Sequence, residues 1–434
     1  MADPELVRFT LDNGLRVVLA PDATAPVVGV SVHYDVGFRS EPEGRTGFAH
    51  LFEHLMFQGS ESLEKLAHFR YVQSSGGSFN GSTHPDYTDY FEVLPAAALE
   101  RALFLEADRM RAPKLTQENL ANQIDVVKEE IRLNVLNRPY GGFPWITLPP
   151  VLYSTFPNAH NGYGGFEDLE QATLDDCAAF FDTYYSPANA VLTVAGDFTV
   201  EQARELIEKH FGDVPHRPAP ERPSFAEPAP EGELRGEQVD PHAPLPAVGV
   251  GYRMPDPIND LDGYLANLVL AGVLTDGDGS RLQQRLVHRE PLVVDIGAGA
   301  GLFGPFEARD PDTFTVTAIH PHEVSTDQVL TALDEELEKL AATPPGDQEI
   351  KKVTARWAAS LHAEHDKLVS RTLALGSFEL LYGDASLVYR LAEKISAVTG
   401  EAVSAAAKAL RPDSRAVLVV RPGSGSSDQE GTEQ

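Results

Sequence analysis

Cysteine is almost absent: Cys177 is the single one in 434 residues. One thiol cannot build an intramolecular disulfide framework, and such usage suits a reducing compartment, so a cytoplasmic protein is expected. Within LDDCAAFF that side chain reads as a small buried apolar group rather than a nucleophile. Positive charge is scarce too, with 35 Lys and Arg against 65 Asp and Glu, a formal balance of −30. Nucleic acid is gripped by cations that neutralise phosphates, so this balance argues against such a partner. It leaves a solubilising surface or an acidic cavity that steers basic peptides, and composition does not choose between them. No run approaches the roughly 18 apolar residues that span a bilayer, so no membrane partner is expected. The opening MADPELVRFTLDNGL has neither the basic start nor the apolar block of a secretory signal.

What is present is ordinary globular composition, 42% hydrophobic and 23% charged, on a chain too long for one core. Prolines crowd the stretch 215–246, where they oppose helix and sheet interiors and favour an extended tether. The expected division is a domain over 1–222, a linker over 223–245, a second domain over 246–423 and a polar Gly/Ser-rich tail over 424–434. The two blocks share a rhythm. VVGVSVHYDVG and AVGVGYRMP open them as strand candidates, a helical stretch follows each, and NAVLTVAGDF and RAVLVVRPG close them as β-branched strands. A duplicated α/β unit is the expectation.

GFAHLFEHLMFQGS (47–60) sets the chemical problem, because His50, Glu53 and His54 interrupt an apolar run. Burying them is costly without a partner. On a helix, residues four apart share one face and the third lies beside them, so both imidazoles can reach one ion with Glu53 adjacent. The order H-x-x-E-H inverts a zinc-protease motif and occurs among catalytic zinc sites. Two imidazoles suit zinc, and a catalytic site requires a third protein ligand. VVKEEIRLNVLNRPYG (126–141) offers Glu129 and Glu130, which point about 100° apart. Val126, Val127 and Ile131 suggest a buried face nearer Glu130, with Glu129 as its rival. The alternatives are two core histidines bonded to backbone, a solvated Glu130, and a Glu53 that merely orients the histidines. GGSFNGSTHPDYTDYFEVLP (76–95) reads as a hairpin.

His50-Leu51-Phe52-Glu53-His54, with Glu130 following His54 by 76 positions and the Gly-Gly-x-x-Asn-x-x-Thr hairpin between, resembles the pitrilysin/insulinase family of inverted-motif zinc peptidases. The likeness runs from about residue 5 to 423 and is densest between 28 and 141. It implies an α+β fold of two homologous α/β-sandwich domains, each a mostly antiparallel sheet packed with helices. It further implies Zn2+ held by His50, His54 and Glu130, with Glu53 as general base. Gln123 stands where many relatives carry a second Glu, seven positions before the metal Glu, and reads as a neutral hydrogen-bonding neighbour of the site. Peptide substrate would add as a strand on Ser78, Phe79, Asn80, Gly81, Ser82 and Thr83. The alternative for that stretch is an ordinary hairpin with polar outer residues.

One departure bears on activity. Self-sufficient one-chain relatives place an Arg and a Tyr in the second block, and the matching positions here are Val287 and Val294, which cannot donate a side-chain hydrogen bond. Arg285 or Arg289 could serve only if the alignment slips. The resemblance therefore implies a peptidase subunit completed by a homologous partner chain, a heterodimer. A self-sufficient homodimeric peptidase and a non-catalytic structural subunit are the competing expectations.

Overall fold

The computed structural model describes residues 6–423, so the expected tail at 424–434 lies outside the described residues. Two helix-packed sheets form the scaffold. The first has six strands, β1 (Val7–Thr10), β2 (Arg16–Pro21), β3 (Val27–Tyr34), β4 (Ser78–Thr83), β5 (Thr88–Pro95) and β6 (Ala190–Gly196), in the order β1-β2-β6-β3-β5-β4. The second has β7 (Leu234–Asp240), β8 (Ala247–Arg253), β9 (Asp295–Ala300), β10 (Thr313–Ile319) and β11 (Arg415–Pro422), in the order β7-β11-β8-β10-β9.

The second sheet repeats the first. In each, an early strand runs parallel to the closing strand, β2 to β6 and β7 to β11. Every other pairing is antiparallel, and β4 and β9 end their sheets in matching positions. The expected α+β duplication is therefore what the chain forms. β7 falls inside the segment expected to be linker, because the prolines stop short of it and LRGEQVD makes an edge strand with alternating burial.

The compact units also differ from the contiguous halves expected. Among the described residues, one comprises the chain to Lys128, Asn161–Ser224 and Trp357–Glu393; the other comprises Glu129–His160, Phe225–Arg356 and the chain from Lys394 onward. The physical reason is coverage. β3 and β6 are buried along nearly their whole length, so both faces of the first sheet must be covered. Helix α3 (Leu99–Arg111) packs on one part of it, and Leu368–Tyr382, from the far end of the chain, packs on β3 and β6. A Cβ at Gly29 would collide with Thr372, and one at Gly376 with His33, so the helix approaches the sheet only because both are glycine. The ion pair Arg371–Asp22 (2.7 Å) secures it. In the other unit, Leu148, Leu152 and Tyr153 pack on Ala247, Ala416, Leu418 and Val420, and Tyr153 Oη lies 2.6 Å from Thr313 Oγ1.

Candidate metal centre

The polar residues of 47–60 sit on helix α1 (Phe48–Leu55), and the helical repeat sorts them. Phe48, Leu51, Phe52 and Leu55 are buried, with Phe52 set among Phe180, Phe181 and Tyr185 at ring separations of 4.6–6.3 Å. The helix begins at Gly47, whose φ of 84° is left-handed, and has no side-chain cap of its own. Glu41 supplies one instead, accepting from the amides of Gly47 (2.9 Å) and Ala49 (2.7 Å) and placing a carboxylate at the positive end of the helix. His50 and His54 share another face. Their rings are 4.9 Å apart at 89°, and Tyr163 stands edge-on to His50 at 5.1 Å.

Glu130 lies in the last turn of α4 (Gln117–Ile131), a helix that starts in the first compact unit. One ligand atom each from His50, His54 and Glu130 lies within 4.8 Å of the others. Of the two sequence candidates, Glu129 instead faces solvent and pairs with Arg132 (3.2 Å). The side of α4 that leads to Glu130 is marked by Val127 and Ile131, while Val126 is exposed, against expectation. Gln123 is buried, two turns before Glu130 on one side of the helix, and donates to Asn122 Oδ1 (2.9 Å).

β4 is the edge of its sheet, hydrogen-bonded on one side to β5. Its side chains divide. Ser78 and Asn80 are exposed, and Phe79 packs on Phe57 at 5.6 Å. Ser82 donates to Asp89 (2.7 Å), and Thr83 donates to Glu53 Oε2 (2.6 Å). A Cβ built on Gly81 would lie 3.1 Å from Glu53 Cγ, so the missing side chain lets α1 approach the edge strand. Glu53 is thus anchored beside the three-residue cluster by a residue of the hairpin.

In the second unit Val294 is exposed and Val287 half-buried, with no polar group to offer. Arg285 is bound to Glu290 (2.9 Å), Glu335 (2.5 Å) and the Ala332 carbonyl (3.1 Å). Arg289 donates to the Gln284 carbonyl at 3.1 Å. Cys177 is buried, and burial pushes its thiol up to about 12, so it is inert as read from the sequence.

Sequence reasoning missed a second cluster. His68 on α2 (Ala67–Ser74), Glu92 on β5 and Glu106 on α3 also bring ligand atoms within 4.8 Å of one another, all buried. Arg109, one helical turn beyond Glu106, clamps that carboxylate through Nε (3.0 Å) and Nη2 and lies over the Tyr90 ring at 4.3 Å. Burial pushes both Glu92 and Glu106 well above the usual carboxylate range, and pushes His68 down to about 3. The available signal was acidic residues inside apolar faces, in TDYFEVLP and LERALFLEADRM. Glu41 and Tyr163 were missed as well, and nothing local in the sequence marks them.

The duplicated mixed-sheet fold, with an H-x-x-E-H helix beside an edge strand, defines the architectural class of two-domain inverted-motif proteins. Comparison with known families narrows this: residues 16–138 match "Insulinase (Peptidase family M16)" and residues 171–356 match "Peptidase M16 inactive domain". The chain belongs to that insulinase/pitrilysin family. "Zinc protease PqqE" of Helicobacter pylori is 32% identical over 67% of this chain and 65% of its own length. "Probable mitochondrial-processing peptidase subunit beta" of Arabidopsis thaliana is 25% identical over 58% of this chain and 47% of its own. The matched region thus spans less than two thirds of either relative. The crystal structure of a protease from Helicobacter pylori superposes with a TM-score of 0.89 at 25% identity, covering 96% of this chain and all of that one.

Proposed function

We propose that this chain is the zinc-bearing subunit of an endopeptidase that cleaves extended peptides or leader segments. The observation that carries the reading is convergence: His50, His54 and Glu130 bring three ligand atoms within 4.8 Å, and Glu53 stands on the same helix as both histidines. Two imidazoles and a carboxylate are a donor set that suits zinc, and half-buried His54 and Glu130 leave the site accessible. A bound zinc ion would supply Lewis acidity, acidifying water and polarising a peptide carbonyl.

The remaining work falls to this chain's own residues. Glu53 takes a proton from the attacking water at its carboxylate and returns it to the departing amine. Thr83 fixes one Glu53 oxygen, so the carboxylate is oriented before substrate arrives. β4 offers its outer backbone edge to an extended segment, which suits peptides and unfolded chains better than folded proteins. Ser78 and Asn80 face outward, while Phe79, Ser82 and Thr83 are engaged with the protein, so main-chain hydrogen bonds would carry most of the grip.

The partner belongs to the same proposal. Val287 and Val294 supply no donor for a developing oxyanion, which supports a homologous second chain that does. A cytoplasmic setting is proposed on the lone buried cysteine. Elemental analysis of undialysed protein should find one zinc per chain, and a chelator should abolish cleavage of an unstructured peptide. Glu53→Gln should keep the metal and lower turnover roughly 10²–10⁴-fold. Near-normal turnover in that variant, or no transition metal bound on titration, overturns the reading. Full activity of a proven monomer overturns the partner and leaves the peptidase.

A further inference from the structure

The cluster of His68, Glu92 and Glu106 resembles the metal centre in its donors, yet its surroundings are those of a proton site. Counted as ionised, Glu92 finds no donor for either oxygen, and His68 Nε2, 3.4 Å from Glu92 Oε2, makes no hydrogen bond. The side chains of His68 and Glu92 are 6% and 0% exposed, so bulk solvent does not reach these atoms. The charge balance then decides what can. Two carboxylates and the Arg109 guanidinium sum to one net negative charge. One proton cancels it, whereas a divalent cation would leave a net positive charge enclosed by Tyr90, Phe57 and Phe79 and beside the guanidinium.

We propose that Glu92 and Glu106 bind one proton between them, with Arg109 as the resident cation, and that release of this proton loosens the edge strand β4. Arg109 clamps both Glu106 oxygens and so favours the charge there, which leaves the shared proton to Glu92. The coupling to β4 is direct. Phe79 of β4 is the register partner of Glu92, and its ring meets His68 at 5.6 Å. An ionised Glu92 must draw in water, and the nearest yielding wall is the outermost strand, paired on one side.

The titratable groups facing the pair are His68 from α2, Tyr90 from β5, Arg109 from α3, Tyr34 from β3, and Tyr185, which follows the helix Leu174–Tyr184. Burial pushes all three tyrosines up, so none titrates near neutrality. His68 stays neutral, and its burial costs stability as pH falls below its ordinary 6.5. The raised carboxyls act with the opposite sign: stability is full below their ordinary 4.5 and is lost as pH rises towards about 7–8. Within this cluster, only the carboxyls contribute between about pH 6.5 and 8. One proton released on unfolding there changes the folded-to-unfolded ratio about tenfold per pH unit.

The test is E92Q in the full chain, since an amide keeps the shape and the donor of the protonated acid. Infrared spectra of the wild type at pH 6.5 should show a buried carboxylic-acid carbonyl band that fades by pH 9 and is missing in E92Q. Denaturant unfolding should show the wild type losing stability from pH 6.5 to 8, with E92Q flat over that window. Amide protection across 78–83 should fall with the wild-type band and hold in E92Q. Should E92Q fail to fold, the wild-type band and its pH dependence still decide. No acid band at pH 6.5, an unchanged pH slope in E92Q, or a second divalent ion per chain that survives mutation of His54 overturns the proposal. None of these readouts depends on peptidase activity, so the proposed function can fail while this stands.

Discussion

Two clusters in this chain draw on the same residue types, histidine and glutamate, and bring three ligand atoms within 4.8 Å. Around His50, His54 and Glu130 the groups are partly exposed and the neighbouring acid, Glu53, is steadied by a hydroxyl. Around His68, Glu92 and Glu106 every group is buried and a guanidinium already occupies the place of the cation. The difference teaches that a donor set does not define a metal site. Solvent access and the charge already present decide whether a cation, a proton or nothing further is bound.

The comparison breaks most decisively at the histidines. His54→Ala should abolish stoichiometric metal and, with it, peptide cleavage, whereas His68→Ala should leave the metal unchanged and cost about 1–3 kcal/mol of stability. Elemental analysis and denaturant unfolding of both variants check this, and loss of metal in His68→Ala would merge the two clusters into one system. Next in size is Arg109→Met, which strips Glu106 of its partner. A destabilisation of about 3–5 kcal/mol is expected at pH 8, shrinking towards pH 5.5 as protonation removes the orphaned charge. Denaturant curves at the two pH values show whether the loss follows that sign. The smallest effect belongs to Thr83→Val. Losing one hydrogen bond to a carboxylate should lower kcat about five- to tenfold with KM little changed. A rise in KM alone would assign Thr83 to substrate rather than to Glu53.

Much of the candidate metal centre was legible in the chain because its logic is local. The i, i+4 spacing of His50 and His54 needs nothing beyond the helical repeat, and Phe48, Leu51, Phe52 and Leu55 announce the opposite face. The Glu129/Glu130 choice was already near the limit: the pattern leaned towards the residue that stands beside the histidines, yet exposed Val126 contradicted part of its basis. Glu41 capping α1 and Thr83 holding Glu53 join residues 6–8 and 30 positions apart, and only folded proximity reveals them. The make-up of the compact units lay beyond local reach for the same reason. A proline-rich stretch marks where the chain is extended, but which helix covers which sheet face depends on close approaches such as Gly376 to His33.

By itself the sequence determined the residue types, the helix faces, the hairpin and the twofold rhythm, because these rest on short-range geometry that repeats every two or 3.6 residues. Tertiary structure alone decided that β4 is an edge, that each unit is built from separated stretches of chain, and that Glu92 and Glu106 meet beside Arg109 in a buried setting. Burial and neighbouring charge are properties of packing between distant segments, and they set whether a glutamate is a ligand, a base or an acid.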